Sequence, residues 1–412
     1  MNQELLLKSA AAKNTLQSLS GLEVSNFINK YCDEIEANVD FILAENRKDL
    51  DRMNPENSKY DRLLLNRDRV FSITGDSRKI ADIEFDAFAA LEEKIGANGI
   101  RIKKTSYPFG VVGMIFESRP NVVVDAISIA LKTHNVCVLK GSDDARFSNI
   151  ALVSLAKKTL KSLGLIEDFV NLLDSDRSSV MDLISAKNLV DLVIPRGGQG
   201  LIEFVRDNSK VPVIETGAGV VHIYVDEAAD LEMARNIVFN AKTRKPSVCN
   251  TLDCLVIHRS QIENFAKIVQ KCVDFGVYFY IDDALSSIVK DVANIKYEIA
   301  DSEVFGCEFL SLKMSVKVVD SCEDAIDFIN KNGSHHSEAI ITSDEKSAKI
   351  FTALVDSAAV YVNCSTTFSD GSCFGMGSEI GISTQKLHAR GPFALEALTT
   401  YRYVVTGSGN VR

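Results

Sequence analysis

The stretch VCVLKGSDDARFSNIALVSLAKKTLKSLG, residues 136–164, decides the class of fold. It begins with a short apolar run, passes through a polar turn that contains Gly141, and then carries apolar residues at helical spacing as far as Gly164. A buried strand followed by a short turn and an amphipathic helix is the repeating unit of a parallel sheet with helices on both faces. The stretch therefore predicts an α/β fold.

The same alternation continues on both sides of this stretch. Residues 111–116 predict a buried strand and residues 122–134 a helix, while further strands are predicted at 169–173, 190–195 and 211–215. A second series of strands and helices follows from about residue 226, and residues 1–53 have the apolar spacing of helices. The last part of the chain is rich in glycine, serine and threonine and ends in a β-prone segment.

Length and charge limit the classes of function. The chain has 412 residues, more than one hydrophobic core accommodates, so we expect two or three domains. The net charge of −10 disfavours nucleic acid or an anionic membrane as the main partner. We find neither a signal peptide nor an apolar run long enough to predict a membrane-spanning helix.

The cysteines and histidines predict neither a disulfide framework nor a metal site. Nine cysteines are scattered along the chain without a CxxC pair, which is typical of reduced thiols in the cytoplasm. The six histidines show no HExxH motif and no Cys/His ligand spacing. We therefore expect a cytoplasmic protein without a bound metal.

Two cysteines lie close together in KPSVCNTLDC, residues 245–254. Cys254 begins an apolar strand, where a small hydrophobic residue belongs, whereas Cys249 lies in a polar segment after Lys242, Arg244 and Lys245. A nucleophilic cysteine needs solvent access and nearby positive charge. Local context favours Cys249 as a nucleophile, and a plain core cysteine remains the alternative.

Two further positions match the places where α/β folds bind ligands. The turn PRGGQG, residues 195–200, separates a strand from a helix, so its backbone N–H groups can bind an anion; a simple tight turn is the alternative. Lys140 ends a parallel strand, where its ammonium can meet a ribose hydroxyl or a 2′-phosphate, or merely face solvent.

Long blocks of the sequence resemble one protein family. The blocks are YPFGVVGMIFESRPNVVVDA (107–126), LVIPRGGQG (192–200), HIYVDEAADLEMARNIVFNAKTRKPSVCNT (222–251), SHHSEAIIT (334–342), VDSAAVYVN (355–363) and STQKLHARGPFALEALTTY (383–401). They resemble γ-glutamyl phosphate reductases, also called glutamate-5-semialdehyde dehydrogenases, of the aldehyde dehydrogenase superfamily. The resemblance runs from about residue 100 to the carboxyl end.

The resemblance implies an aldehyde dehydrogenase-like α/β fold with two parallel-sheet domains and a small β-rich oligomerisation element. We expect a dinucleotide-binding domain with its helical lead-in over residues 1–225, of which about 100–120 contribute to the oligomerisation element. The catalytic thiol domain is expected over 226–365. The tail, 366–412, is expected to contribute to the oligomerisation element and to the wall of the active site.

The resemblance also implies an activity. It is the NADPH-dependent reduction of L-glutamyl 5-phosphate to L-glutamate 5-semialdehyde with release of phosphate, through a cysteine thioester. This is the second step of proline biosynthesis from glutamate. The partners implied are the small-molecule substrate, further copies of the chain in a homo-oligomer, and glutamate 5-kinase as the direct source of the substrate.

Site residues follow from the resemblance position by position. Cys249 matches the nucleophile and Asn121 the asparagine of the oxyanion hole, which also uses the backbone N–H of the cysteine. The positions implied for the dinucleotide are Lys140, Arg196, Gly197, Gly198, Gly200 and Glu308, with Glu308 on the nicotinamide ribose. The basic residues expected to contact the substrate are Arg244, Lys245, His388 and Arg390.

Three positions keep other functions open. The segment NCSTTF, residues 363–368, has Cys364 and Thr367 where the family pattern NASTRF has alanine and arginine. Glu215 falls near the general base of hydrolytic aldehyde dehydrogenases, which oxidise aldehydes with NAD or NADP. A hydrolytic dehydrogenase and a catalytically silent scaffold of the same fold are therefore the alternatives.

Overall fold

The computed structural model describes residues 2–57, 59–376 and 379–412. The chain forms two compact units. The first comprises Met1–Thr216, Gly375–Gly381 and Phe393–Arg412, and the second comprises Gly217–Phe374 and Ile382–Pro392.

Helices and strands alternate along most of the chain. The helices are α1 (Asn2–Gln17), α2 (Gly21–Ala37), α3 (Val39–Leu50), α4 (Tyr60–Leu63), α5 (Arg67–Asp82), α6 (Asn121–Lys132), α7 (Arg146–Ser162), α8 (Ser178–Ile184), α9 (Gln199–Asn208), α10 (Leu231–Thr243), α11 (Phe265–Asp274), α12 (Cys322–Asn332) and α13 (Glu345–Leu354). The strands are β1 (Ala90–Ile95), β2 (Arg101–Pro108), β3 (Val111–Phe116), β4 (Val136–Gly141), β5 (Val170–Leu172), β6 (Leu192–Arg196), β7 (Val221–Val225), β8 (Leu252–His258), β9 (Tyr278–Ile281), β10 (Lys296–Ile299), β11 (Lys313–Val319), β12 (Ser337–Ile341), β13 (Ala359–Val362), β14 (Gly381–Ser383), β15 (Gly391–Phe393) and β16 (Thr399–Thr406).

A four-stranded parallel sheet with the order β5-β4-β3-β6 forms the centre of the first unit. Strands β3 and β4 are buried along their whole length, which explains why their sequences are apolar without alternation. The strand predicted at 111–116 is confirmed, and the α/β unit of residues 136–164 is confirmed as β4 followed by α7.

The helical lead-in predicted for residues 1–53 is confirmed as α1, α2 and α3. Buried hydrogen bonds join it to α7: the Tyr31 hydroxyl donates to the Leu152 carbonyl at 3.1 Å, and Asn46 Nδ2 donates to Ser148 Oγ at 3.0 Å. The sequence did not predict α5, which has few apolar residues and packs against α2 and α6.

The second unit contains a seven-stranded parallel sheet with the order β10-β9-β11-β8-β7-β12-β13. Its largest buried cluster contains apolar side chains of β7, β8, β9, β11 and β12 together with those of α10 and α11. The predicted architecture of two parallel-sheet α/β units is therefore confirmed.

A three-stranded antiparallel sheet, β1-β2-β16, belongs to the first unit. It uses β2 from the region expected to contribute a β-rich element and β16 from the tail, whereas β3 lies in the parallel sheet. Most side chains of β1 and β16 are exposed, including Leu91, Ile95 and Tyr403. A further two-stranded sheet pairs β14 with β15.

Two expectations about residues 211–225 were wrong. Residues 211–215 form no strand but a single bridge, between Val193 and Val213, and Pro212 lacks the N–H that a ladder requires. The amino-terminal segment of the first unit ends at Thr216 rather than at residue 225, because β7 pairs with β8 and β12 of the second sheet. The tail is also divided, since residues 366–374 and 382–392 belong to the second unit.

Among the described residues, no helix combines the length and the apolar character needed to cross a bilayer.

Gly110, just before β3, provides a test of this fold. Its φ is 128°, and a Cβ there would collide with Asp191 Oδ2, which accepts the Val111 N–H at 2.8 Å. We expect Gly110→Ala to lower the free energy of unfolding by about 2–4 kcal/mol in urea denaturation. The control Gly99→Ala, with a φ of 77° but no atom near its Cβ, should cost about 1 kcal/mol. Equal losses in both variants would contradict the packing at β3.

Candidate active site

Cys249 lies in a tight turn that connects α10 with β8. The Val248 N–H donates to the Lys245 carbonyl at 3.3 Å, and the Thr251 hydroxyl donates to the same carbonyl at 2.8 Å. Cys249 is partly exposed, whereas Cys254 is fully buried within β8. The turn therefore gives Cys249 the access that a nucleophile requires and denies it to Cys254.

Gly219 lies directly against the backbone of Cys249. A Cβ at Gly219 would overlap with the Cys249 carbonyl group, so only glycine permits this approach. The Gly219 N–H donates to Glu308 Oε1 at 2.9 Å. Gly219 thus connects two residues that the sequence had assigned separately, the candidate nucleophile and the candidate ribose ligand.

Asn250 anchors the other side of the same turn. Its Nδ2 donates to the carbonyls of Thr367 and Ser369 at 3.3 and 3.1 Å, and its own carbonyl accepts the Thr366 hydroxyl at 2.9 Å. Thr367 is 7% exposed and donates its hydroxyl to Asn240 Oδ1 on α10 at 3.0 Å. The residue that stands where the family pattern has arginine is therefore part of the support of the turn.

Lys242, which the sequence placed among the basic residues before Cys249, does not contribute its positive charge to the surface of the turn. This lysine is fully buried, donates to the Leu252 carbonyl at 2.7 Å and lies 3.9 Å from Asp253 Oδ1, and burial lowers the pKa of its ammonium. It therefore stabilises the core rather than the thiol. Arg244 and Lys245 are both exposed beside Cys249 in sequence.

The two candidate substrate ligands of the tail have different surroundings. His388 is exposed. Arg390 is partly buried, and its guanidinium donates to Asp356 Oδ1 at 2.8 Å, while Lys386 lies 2.9 Å from the second oxygen of the same carboxylate. Hydrogen bonds from Lys386 and Arg390 lower the pKa of Asp356. The charge of Arg390 is thus already balanced within the second unit.

Asn121 belongs to the first unit, where it is the first residue of α6. Pro120 precedes it, with the helical φ that suits a helix start. The Asn121 side chain is partly exposed, and its Nδ2 donates to Asp125 Oδ2 one turn further along the helix, at 3.3 Å. Its amide is thereby held at the carboxyl end of β3.

Lys140 lies at the carboxyl end of β4 and is 5% exposed, so it is not a solvated lysine. Its Nζ donates to the Ser175 carbonyl at 3.0 Å, and burial lowers its pKa. Ser175 is one of the residues that line a pocket of about 180 Å³, together with Gly141, Ser142, Arg146 and Asp174. The pocket occupies the sheet edge where α/β folds bind nucleotides.

The turn Arg196–Gly200 leads from β6 into α9, and its glycines are exposed. A Cβ at Gly197 would lie 2.7 Å from Leu201 Cδ2 and 3.0 Å from Glu117 Cδ, so these two side chains would have to shift to admit it. The Gly198 N–H donates to Glu117 Oε2 at 3.2 Å. The carboxylate of Glu117 therefore lies at the amino terminus of α9, the end of a helix where the backbone N–H groups and the helix dipole favour an anion.

Glu215 forms an ion pair with Arg206, whose guanidinium lies 3.6 Å from Glu215 Oε2. Both residues belong to the first unit. The pair gives this carboxylate a structural partner, which disfavours its use as a base for water. In the parts of the chain that the structure describes, no cluster of three or more histidine, cysteine or acidic residues could hold a metal ion.

Comparison with known proteins identifies the family. Residues 76–275 match the aldehyde dehydrogenase family. Over 97% of its length the chain is 46% identical to the γ-glutamyl phosphate reductase of Chlorobaculum parvum, of which it covers 96%. It is 44% identical to that of Legionella pneumophila strain Corby over the whole of both chains. The chain belongs to the γ-glutamyl phosphate reductase family.

A solved structure agrees with this membership. The crystal structure of the γ-glutamyl phosphate reductase of Thermotoga maritima matches with a TM-score of 0.95 and 38% identity, covering all of this chain and 99% of the other. The expected aldehyde dehydrogenase-like fold is confirmed. The chain is an oxidoreductase, and its family implies a nicotinamide cofactor and a small-molecule substrate.

Sequence reasoning missed the supports of the nucleophile turn. Gly219 had a local signal, since glycines in TGAG before a strand indicate a close backbone approach. Asn250 and Thr366 had none, because their bond joins residues 116 positions apart.

Gly219 provides the sharpest test of the site geometry. We expect Gly219→Ala to lower reductase activity by about 100-fold, because a displacement of about 1 Å at a reacting atom has that effect. Gly75→Ala, in α5 with no atom near the new Cβ, is the control and should retain full activity. Steady-state rates and thermal unfolding of both variants check this. A Gly219→Ala enzyme within twofold of the wild type would contradict the close contact.

Proposed function

We propose that this chain catalyses the NADPH-dependent reduction of L-glutamyl 5-phosphate to L-glutamate 5-semialdehyde and phosphate, the second step of proline biosynthesis from glutamate. The observation that carries the proposal is the partly exposed Cys249, held in a turn by Gly219 and Asn250, within a chain of the γ-glutamyl phosphate reductase family.

In the first step the Cys249 thiolate attacks the acyl carbon of the substrate. A carbon–sulfur bond forms, the bond from that carbon to the phosphate oxygen breaks, and phosphate leaves as a stable anion. Arg244 and Lys245 precede the thiol, are exposed, and carry positive charge that favours both the thiolate and the anionic substrate. His388 is a further candidate contact for the substrate, whereas Arg390 acts mainly through Asp356.

In the second step the thioester is reduced. When bound, NADPH supplies the hydride that the thioester carbon accepts. The family resemblance assigns the Asn121 side chain and the Cys249 backbone N–H as donors to the developing oxyanion, and losing one such donor typically lowers the rate about 10²- to 10³-fold. The intermediate then expels the thiolate and releases the aldehyde.

The residues that would hold NADPH come from two regions. Lys140 and the adjoining pocket suit the adenosine ribose, and the backbone N–H groups of Gly197, Gly198 and Gly200, beside Arg196, suit the pyrophosphate. Glu308 would bind the nicotinamide ribose. The placement of Glu308 against Gly219, and so beside the Cys249 turn, supports that role.

We also propose that the enzyme acts in the cytoplasm as a homo-oligomer and receives its substrate directly from glutamate 5-kinase. Nine thiols, with no disulfide among the described residues, suit a reducing compartment. The exposed apolar side chains of the β1-β2-β16 sheet support a subunit contact there. Direct transfer would protect the acyl phosphate from water.

The reverse reaction tests this function. With glutamate semialdehyde and NADP, we expect repeated turnover, beyond one NADPH per active site, to require phosphate, because phosphate is the group that cleaves the thioester. Cys249→Ser should abolish turnover, whereas the matched variant Cys254→Ser should retain most of it. Turnover without phosphate would instead indicate a hydrolytic dehydrogenase. The same assay with NAD in place of NADP tests the cofactor preference.

A further inference from the structure

Asp125 is an ionisable residue beside Asn121 that the reaction described above does not use. It lies four residues further along α6, and its Oδ2 accepts a hydrogen bond from Asn121 Nδ2 at 3.3 Å. Side chains four residues apart share one face of a helix, and both incline toward its amino terminus. The carboxyl group of Asp125 is therefore placed to control the amide of Asn121.

The control follows from the hydrogen-bonding properties of the two groups. An asparagine amide has a donor end and an acceptor end and can be turned round by a half rotation. An ionised carboxylate only accepts hydrogen bonds, so it holds the NH2 end and leaves the second N–H of that group to donate elsewhere. A protonated carboxyl group also donates, so it tolerates the reversed amide.

Asp125 is only partly exposed, and its surroundings raise the pKa of its carboxyl group. Burial raises the pKa of Asp125 to about 7, although the hydrogen bond from Asn121 and the charge of Arg196 on β6 act in the opposite direction. The other groups that interact with its charge are Asp76 on α5 and Tyr31 on α2. The carboxylate predominates above this pKa, and the acid predominates below it.

We propose that Asp125 is a positioning residue for the reduction, which fixes the amide of Asn121 as a hydrogen-bond donor while it is ionised. This inference rests on the proposed role of Asn121 at the oxyanion. The fixed orientation is present at alkaline pH and is lost as the pH falls and Asp125 takes up a proton.

The ratio of the wild-type rate to the Asp125→Asn rate, measured against pH, tests the proposal. The variant keeps the shape of the side chain but both donates and accepts at every pH. We expect a ratio of about 10 at a pH of about 8.5 and a ratio near 1 at a pH of about 5.5. Groups that titrate alike in both enzymes cancel in the ratio. A ratio that does not change with pH would overturn the proposal.

The same substitution in an enzyme that already carries Asn121→Ala separates a positioning role of Asp125 from a simple loss of structure. In Asn121→Ala, the further change Asp125→Asn should alter the rate less than about twofold, since no amide remains to be held. An equal loss in both backgrounds would overturn the proposal. If Asn121→Ala alone leaves the rate unchanged, the oxyanion role of Asn121 fails, and the positioning role fails with it, whereas the Cys249 chemistry is tested separately by Cys249→Ser.

The variant Asp76→Asn tests the titration of Asp125 while leaving Asn121 and Asp125 themselves unchanged. Asp76 is half exposed and pairs with Lys79 on the surface, so its loss should not impair folding. Because its negative charge raises the pKa of Asp125, its removal should move the pH midpoint of the rate ratio lower, with each enzyme compared with its own Asp125→Asn form. An unchanged or higher midpoint would contradict the titration of Asp125.

Discussion

The close contact between Gly219 and the backbone of Cys249 is the constraint on which the position of the thiol depends. Gly219 lies two residues before β7, so the buried parallel sheet fixes its place, and Glu308 accepts its N–H. Because no side chain fits between the two backbones, the turn follows the sheet edge closely. The turn is thereby held in a defined position, as acyl transfer requires.

Polar residues rather than nearby charges provide most of the remaining support for this turn. Asn250 and Thr366 fasten it to the segment after β13, and the buried Lys242 donates to the carbonyl of Leu252, where β8 begins. Because the uncharged side chains of Asn250 and Thr366 hold the turn, the exposed positive charges of Arg244 and Lys245 stay available for the anionic substrate. The same division of roles applies in the first unit, where Lys140 is held by a carbonyl group and the glycine turn presents backbone donors.

The sequence was informative where local pattern determines structure. The apolar run 111–116 is β3, and Cys249 differs from Cys254 in exposure as its polar neighbours indicated. The sequence was uninformative where contacts between residues far apart in the chain determine strand pairing or burial. The apolar segment 211–215 lacks a continuous ladder, β7 joined the second sheet by pairing with β8 and β12, and the burial of Lys242 depends on Leu252 and Asp253. The roles of the site residues came from family resemblance, since a lone cysteine or glycine turn is a weak signal.

The most direct measurement of the central claim is the detection of the acyl-enzyme. Glutamate semialdehyde and NADP, mixed with the enzyme in the absence of phosphate, should leave the glutamyl group attached as a thioester, because nothing is present to cleave it. Peptide mass spectrometry after acid quenching should find the adduct on the peptide that contains Cys249, and added phosphate should remove it. An adduct on another cysteine, or NADPH formation without any adduct, would contradict the account.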